Sequence, residues 1–209
     1  MISTGVLAVH NASPNSLSVF HDAIISEIPK LSGRWSFELK VFRSNNAHLA
    51  STQSSFLFNI NFDHEPSKSI TLINKISITT STSPSKELID SGSLVGSCDP
   101  LDLIVQSKLQ SLWLVRQTLK VDNGFTYEIN QGEFLLRAVN VYLNGSFKNF
   151  LIFIEYHGNE KAKESGLEKI KESIARFRIP PGNLHTEQLT ETKEYLSDLA
   201  YQTVQALQF

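Results

Sequence analysis

Phe134-Leu135-Leu136-Arg137-Ala138-Val139-Asn140-Val141, followed by Asn144-Gly145 and then Phe150-Leu151-Ile152-Phe153-Ile154, is the stretch that decides the fold. Asn-Gly readily supplies the two positive-φ residues that a two-residue hairpin turn needs. Residues 133–143 and 147–156 are therefore expected to be neighbouring antiparallel strands. A strand with polar residues at alternate positions can leave one face in water. Residues 150–154 have no such face, and residues 134–141 nearly lack one. Both sides of these strands must be covered. Two covers remain open from the sequence: helices of the same chain, or a partner protein docking on a surface that includes Phe150, Ile152 and Ile154.

The upstream segments carry a cleaner period of two. Trp35, Phe37, Leu39 and Val41 alternate with Ser36, Glu38 and Lys40, and Phe56, Phe58, Ile60 and Phe62 alternate with Leu57, Asn59 and Asn61. Ile70, Leu72, Ile76 and Ile78 continue the pattern with Asn74 in register, which marks strands with one buried face. A second Asn-Gly pair, Asn123-Gly124 between Val121 and Phe125, predicts another hairpin. The Ser/Thr-rich residues 77–86 and the Gly-containing residues 91–100 read as loops or frayed strand ends.

Helical spacing appears at three places. Ser13-Pro14 reads as an N-cap with proline in the first turn, and Leu17, Phe20, Ile24 and Ile28 share one face up to Pro29. In the middle, Asp99 and Pro100 open a helix over residues 100–112, with Leu101, Ile104, Val105, Leu109 and Leu112 on one side. A strand over residues 113–121 follows it. Near the end, Leu167, Ile170, Ile174 and Phe177 stripe a charged helix over residues 160–178, closed by Pro180-Pro181-Gly182. A last helix begins near Thr186, with Leu189, Leu196, Leu199, Ala200, Thr203 and Leu207 inward. With a strand over residues 5–10, the reading is α+β. It is a predominantly antiparallel β-barrel of about seven to nine strands, with flanking N-terminal, central and C-terminal helices, in one domain over residues 1–209.

The residue types for chemistry are scattered. Nineteen basic and 21 acidic side chains give a formal charge of −2, which supplies no electrostatic basis for direct nucleic-acid binding. The one cysteine, Cys98, excludes an intramolecular disulfide and a multi-cysteine metal site. No segment reaches the roughly 20 apolar residues of a membrane-spanning helix, and the first residues lack the basic region of a signal peptide. An intracellular chain with no membrane partner is expected. No two of the six histidines stand three to five residues apart, and Asp63-His64-Glu65 reads as a polar hairpin tip. Phosphate-cradling glycine loops and nucleophile elbows are absent. Metal-dependent hydrolysis inside a barrel would need paired carboxylates such as Glu-x-Glu, and the chain has none. Glu38, Glu128, Glu133 and Glu155 are single strand carboxylates expected to face solvent. The expectation is a protein with no catalytic residues, metal or cofactor.

Two further segments are more specific. Ser197-Asp198-Leu199-Ala200-Tyr201-Gln202-Thr203-Val204-Gln205-Ala206-Leu207 closes the chain, and Ser107-Lys108-Leu109 precedes Trp113, Arg116, Gln117 and Lys120. Together they resemble the fungal form of Mediator subunit 20. That resemblance implies a β-barrel with flanking helices, and a nuclear, non-enzymatic subunit of the Mediator head module. It implies direct pairing with subunit 18, a related barrel, and a shared subcomplex with subunit 8. The rest of the head module and RNA polymerase II would be reached indirectly. Because Trp and Arg are enriched at interface hot spots, Trp113, Arg116 and Gln117 join Phe150, Ile152 and Ile154 as candidate partner contacts. The competing class is a stand-alone barrel that carries a small apolar molecule. It needs an open lumen, which 13 phenylalanines tend to fill.

Overall fold

Alternating sequence becomes sheet in the computed structural model, which describes residues 2–27, 29–45, 55–83, 86–92, 99–158, 163–189 and 194–209. The strands are β1 (Ser3–Val9), β2 (Lys30–Ser44), β3 (Phe56–Phe62), β4 (Lys68–Ile73), β5 (Ile76–Ser81), β6 (Trp113–Ile129), β7 (Phe134–Leu143), β8 (Ser146–Tyr156) and β9 (Gly182–His185). The α-helices are α1 (Ser16–Ile24), α2 (Lys86–Asp90), α3 (Leu101–Lys108), α4 (Lys163–Arg176) and α5 (Tyr195–Leu207). The nine strands follow the order β5-β4-β3-β2-β6-β7-β8-β1-β9 in one antiparallel sheet. The α+β class and the barrel-like antiparallel sheet expected from the sequence are present, with the strand number at the top of the expected range. The order ends in β5 and β9, so hydrogen bonds do not close the sheet among the described residues. The chain forms two compact units, Met1–Ser36 with Val121–Phe209, and Phe37–Lys120.

In the first unit, β8 lies between β7 and β1. Leu136 pairs with Ile154 and Ala138 with Ile152 on one side, while Gly5 pairs with Ile154 and Leu7 with Ile152 on the other. Helices of the same chain cover this sheet. Phe20 of α1 meets Tyr127 edge-on at 5.7 Å between ring centroids and Phe150 at 5.9 Å. From α4, Ile170 joins the same cluster, and Phe177 just beyond it meets Phe134 at 5.4 Å. Helix α5 packs on β1 and β9 and contributes no residue to that cluster. On the alternate face of β8, Phe153 is met by Trp35 at 4.6 Å. At roughly 1.5–3 kcal/mol for each fully buried large apolar side chain, this covering is the main source of stability.

In the second unit, Phe37, Leu39 and Val41 pair with Phe62, Ile60 and Phe58 on one face of β2 and β3. The other face holds Phe42 and Leu57, on which Val105 of α3 packs. Asn59, buried beside them, donates to the hydroxyls of Ser69 at 2.8 Å and Thr71 at 2.9 Å.

Several local expectations change. The Asn144-Gly145 hairpin forms, with φ of 50° and 79°. The same dipeptide at Asn123-Gly124 does not turn, because β6 runs straight through it. Glycine is needed there for close approach: a Cβ at Gly124 would stand 2.9 Å from the Trp35 carbonyl oxygen and 3.0 Å from that of Ala138. Conversely, Asn74 takes a left-handed φ of 55° in the turn between β4 and β5. That turn splits the expected strand, so Ile70 and Leu72 are buried while Ile76 is 61% exposed. Helix α1 begins at Ser16, with Asn15 before it and no side-chain cap, and Ile28 lies outside the described residues. Likewise α3 stops at Lys108 and has no side-chain cap from Asp99; Ile104 within it and Leu112 beyond it are exposed rather than inward. Helix α5 starts at Tyr195, and β9 was not anticipated. Cys98 and most of residues 91–100 fall outside the described residues.

Glu155 is a larger correction. It is 1% exposed rather than solvent-facing, paired with Arg137 and 3.1 Å from His157 Nε2. The guanidinium of Arg137 also lies 5.9 Å over the Trp35 ring. Removing one partner strands the other charge in the interior. Glu155→Ala is therefore expected to lower the unfolding free energy by about 3–5 kcal/mol in chemical denaturation, and the double change Arg137→Met with Glu155→Leu by clearly less. Gly124→Ala is expected to cost about 1–3 kcal/mol through forced displacement of neighbouring backbone. A neutral result in the same assay would remove the close-approach explanation.

Candidate partner-binding site

The sequence candidates separate cleanly in space. Phe150, Ile152 and Ile154 are each 0% exposed, within the cluster formed by α1, α4 and the sheet of the first unit. They offer no surface to a partner, because the chain supplies its own cover on the face where they point. This settles the first of the two covers left open by the sequence for that face and corrects the second.

Trp113, Arg116 and Gln117 lie together at the start of β6 in the second unit. The short α3 ends in a turn in which Leu112 and Trp113 donate backbone N–H groups to the Leu109 carbonyl, both at 2.9 Å. This turn delivers the chain into β6 with the Trp113 indole half-buried against Phe42, Leu57 and Val105. Gln117 is also half-buried, and its amide nitrogen has no hydrogen-bond partner among the described residues. Arg116 points the other way, with its guanidinium 5.3 Å over the Phe56 ring. Around them Leu112, Leu114 and Val115 are exposed. The sequence candidates at this strand are thus at a surface, although Trp113 also serves the core.

Sequence reasoning missed a polar network beside α3. Asp102 is buried and accepts a 2.5 Å hydrogen bond from Lys40 Nζ, while Glu38 lies 3.5 Å from the same ammonium and 3.2 Å from Lys120. Burial alone lowers the Lys40 pKa, but the hydrogen bond and charge of Asp102, with Glu38, outweigh it and raise the group above 10.5. The network borders a cavity of about 310 Å³ that also touches Asn61, Lys68, Ser69 and Thr82. The signal for it was one aspartate inside an otherwise apolar helical stretch.

The C-terminal segment that carried the resemblance has a structural task. Asp198 accepts the Leu189 backbone N–H at 2.8 Å, and the Gln202 amide donates to the carbonyls of Thr4 and Glu187, each at 3.2 Å. These bonds hold α5 against β1 and against the segment leading to the helix. Among the described residues, no group of three or more His, Cys, Asp or Glu side chains is placed to hold a metal ion. No helix among them is long and apolar enough to cross a membrane.

Residues 1–208 match the family model described as the TATA-binding related factor of subunit 20 of the Mediator complex. The chain is 32% identical to the Mediator of RNA polymerase II transcription subunit 20 of Scheffersomyces stipitis, covering 99% of each chain. It is 30% identical to the protein of the same name from Eremothecium gossypii, covering 99% of this chain and 100% of that one. Among solved structures it is similar to the PH1012 protein of Pyrococcus horikoshii, at 14% identity and a TM-score of 0.49, over 90% of this chain and 97% of that one. On the match over nearly its whole length, the chain belongs to the Mediator subunit 20 family, whose members are components of the Mediator complex of RNA polymerase II transcription.

Proposed function

We propose that this Mediator subunit is a non-catalytic adaptor of the head module in the nucleus, pairing directly with subunit 18 in a subcomplex that also holds subunit 8. Regulatory signals would then reach RNA polymerase II through the rest of the head module. The match of residues 1–208 to the subunit 20 family is the observation that carries the reading. The exposed apolar side chains around Trp113, Arg116 and Gln117 support a contact there, since apolar surface rimmed by charge is what an adaptor presents to a partner. The burial of Phe150, Ile152 and Ile154 in the chain's own core removes them from that role.

We propose that the adaptor acts as a single domain over residues 1–209; that β2 and β6 each run through both compact units supports this. A strand shared by two units couples their unfolding. Trp35 belongs to the first unit and Trp113 to the second, so each reports on one unit. In the variants Trp113→Phe and Trp35→Phe, the fluorescence midpoint in denaturant is expected to coincide with that variant's own far-ultraviolet dichroism midpoint. Two separated midpoints would mean two domains.

The adaptor itself is tested by purifying the tagged full chain from its own cells and identifying the bound proteins by mass spectrometry. Subunits 18 and 8 are expected in near-stoichiometric amounts, with other head-module subunits below them. Recovery of the chain alone would sink the proposed pairing.

A further inference from the structure

Arg43 and Phe56 are register partners on β2 and β3, so their side chains stand opposite each other on one face. Arg116 reaches the same ring from β6, with its guanidinium 5.3 Å from the ring centroid. Phe58, two residues along that face, stacks with Phe56 at 6.4 Å. Leu114 falls on the same side as Arg116 by strand alternation and is 50% exposed. Two exposed arginines, two half-buried phenylalanines and an exposed leucine thus form one patch within the second unit.

The charge on this patch is uncompensated. Neither Arg43 nor Arg116 has a carboxylate partner among the described residues, whereas Lys40, Lys68 and Lys120 in the same unit all do. The β2–β3 connection, residues 46–54, contains no Asp or Glu in its sequence. The patch thus carries a local charge of +2 on a chain of net charge −2. Stacking on Phe56 holds the Arg116 guanidinium plane in place, so less freedom is lost when it binds a carboxylate. The aromatic face is already covered by that guanidinium, which disfavours a nucleic-acid base stacking there. The exposed Leu114 beside the half-buried phenylalanines favours a protein segment.

We infer that the patch formed by Arg43, Phe56, Phe58, Leu114 and Arg116 binds an acidic segment of another Mediator subunit, one that carries a large apolar side chain between its carboxylates. The inference rests on the adaptor reading above and specifies the chemistry of one of its contacts. Carboxylates would meet the two guanidiniums with charge-assisted hydrogen bonds, and the apolar side chain would lie between Leu114 and the phenylalanines.

The test places a photo-reactive benzoylphenylalanine at position 114 of the tagged full chain in its own cells, with and without the pair Arg43→Glu and Arg116→Glu. The cross-linked peptide is identified by mass spectrometry. It is expected to come from a Mediator subunit and to contain clustered Asp or Glu with a large apolar residue. The charge reversal is expected to cut its yield about tenfold or more, and Arg43→Gln with Arg116→Gln by less. Both arginines are exposed, so the unfolding midpoints of the variants should match that of the parent. Their agreement separates lost binding from lost folding. Cross-linking to a segment without acidic residues, an unchanged yield on charge reversal, or no cross-link while Mediator subunits co-purify would each overturn the inference and leave the adaptor reading standing. If the parent chain recovers no Mediator subunit, the adaptor reading fails and this inference fails with it.

Discussion

Burial of both faces of β8 is the constraint from which the first unit follows. A strand whose consecutive residues from Phe150 to Tyr156 are all buried cannot sit at an edge or against solvent. It therefore takes a central place between β7 and β1, and each neighbour inherits the need for cover. Helices α1 and α4 satisfy one face, and α5 seals β1 and β9. These helices come from opposite ends of the sequence, which is why the unit is discontinuous and gathers Met1–Ser36 with Val121–Phe209.

Polar groups inside that cover decide where it fits more than how strongly it holds. The pairing of Arg137 with Glu155, and the bonds from Asp198 and Gln202, lie where an unmet donor or acceptor would cost free energy with no water to relieve it. An apolar helix can slide by a turn over an apolar sheet at modest cost. A buried glutamine reaching two particular carbonyls cannot. The segment that gave the sequence its clearest family resemblance is thus a docking device within the chain, distinct from the surface around Arg116 where another protein is proposed to bind.

Legibility in the sequence followed the range of the interaction. Hairpin β7–β8 was readable because a local turn and two flanking strands agree. Asn123-Gly124 has the same dipeptide, and its role depends on Ala138 of the next strand and on Trp35, far away along the chain. The need to cover Phe150, Ile152 and Ile154 was visible in their pattern, but a pattern cannot say whether the cover is intramolecular. Glu155 looked like a solvent carboxylate because its partner, Arg137, lies across the hairpin on the neighbouring strand. At the candidate site, Trp113, Arg116 and Gln117 could be picked out by residue type. Arg43 and Phe56 could not, since only strand register and the fold of β6 bring them to Arg116.

The place of β1 between β8 and β9 also bears on how the protein is made. Ser3–Val9 is synthesised well before its pairing partners β8 and β9, and before α5, which packs on it. At roughly 5–20 residues per second of synthesis, this apolar strand waits about 10 s or more before it can pair with β8 and then with the rest of its surroundings. Residues 37–120 form their unit from a contiguous run and need no such delay. The nascent chain therefore carries an unpartnered apolar strand until β8 has been made, which makes it a natural client for chaperones that shield emerging polypeptides.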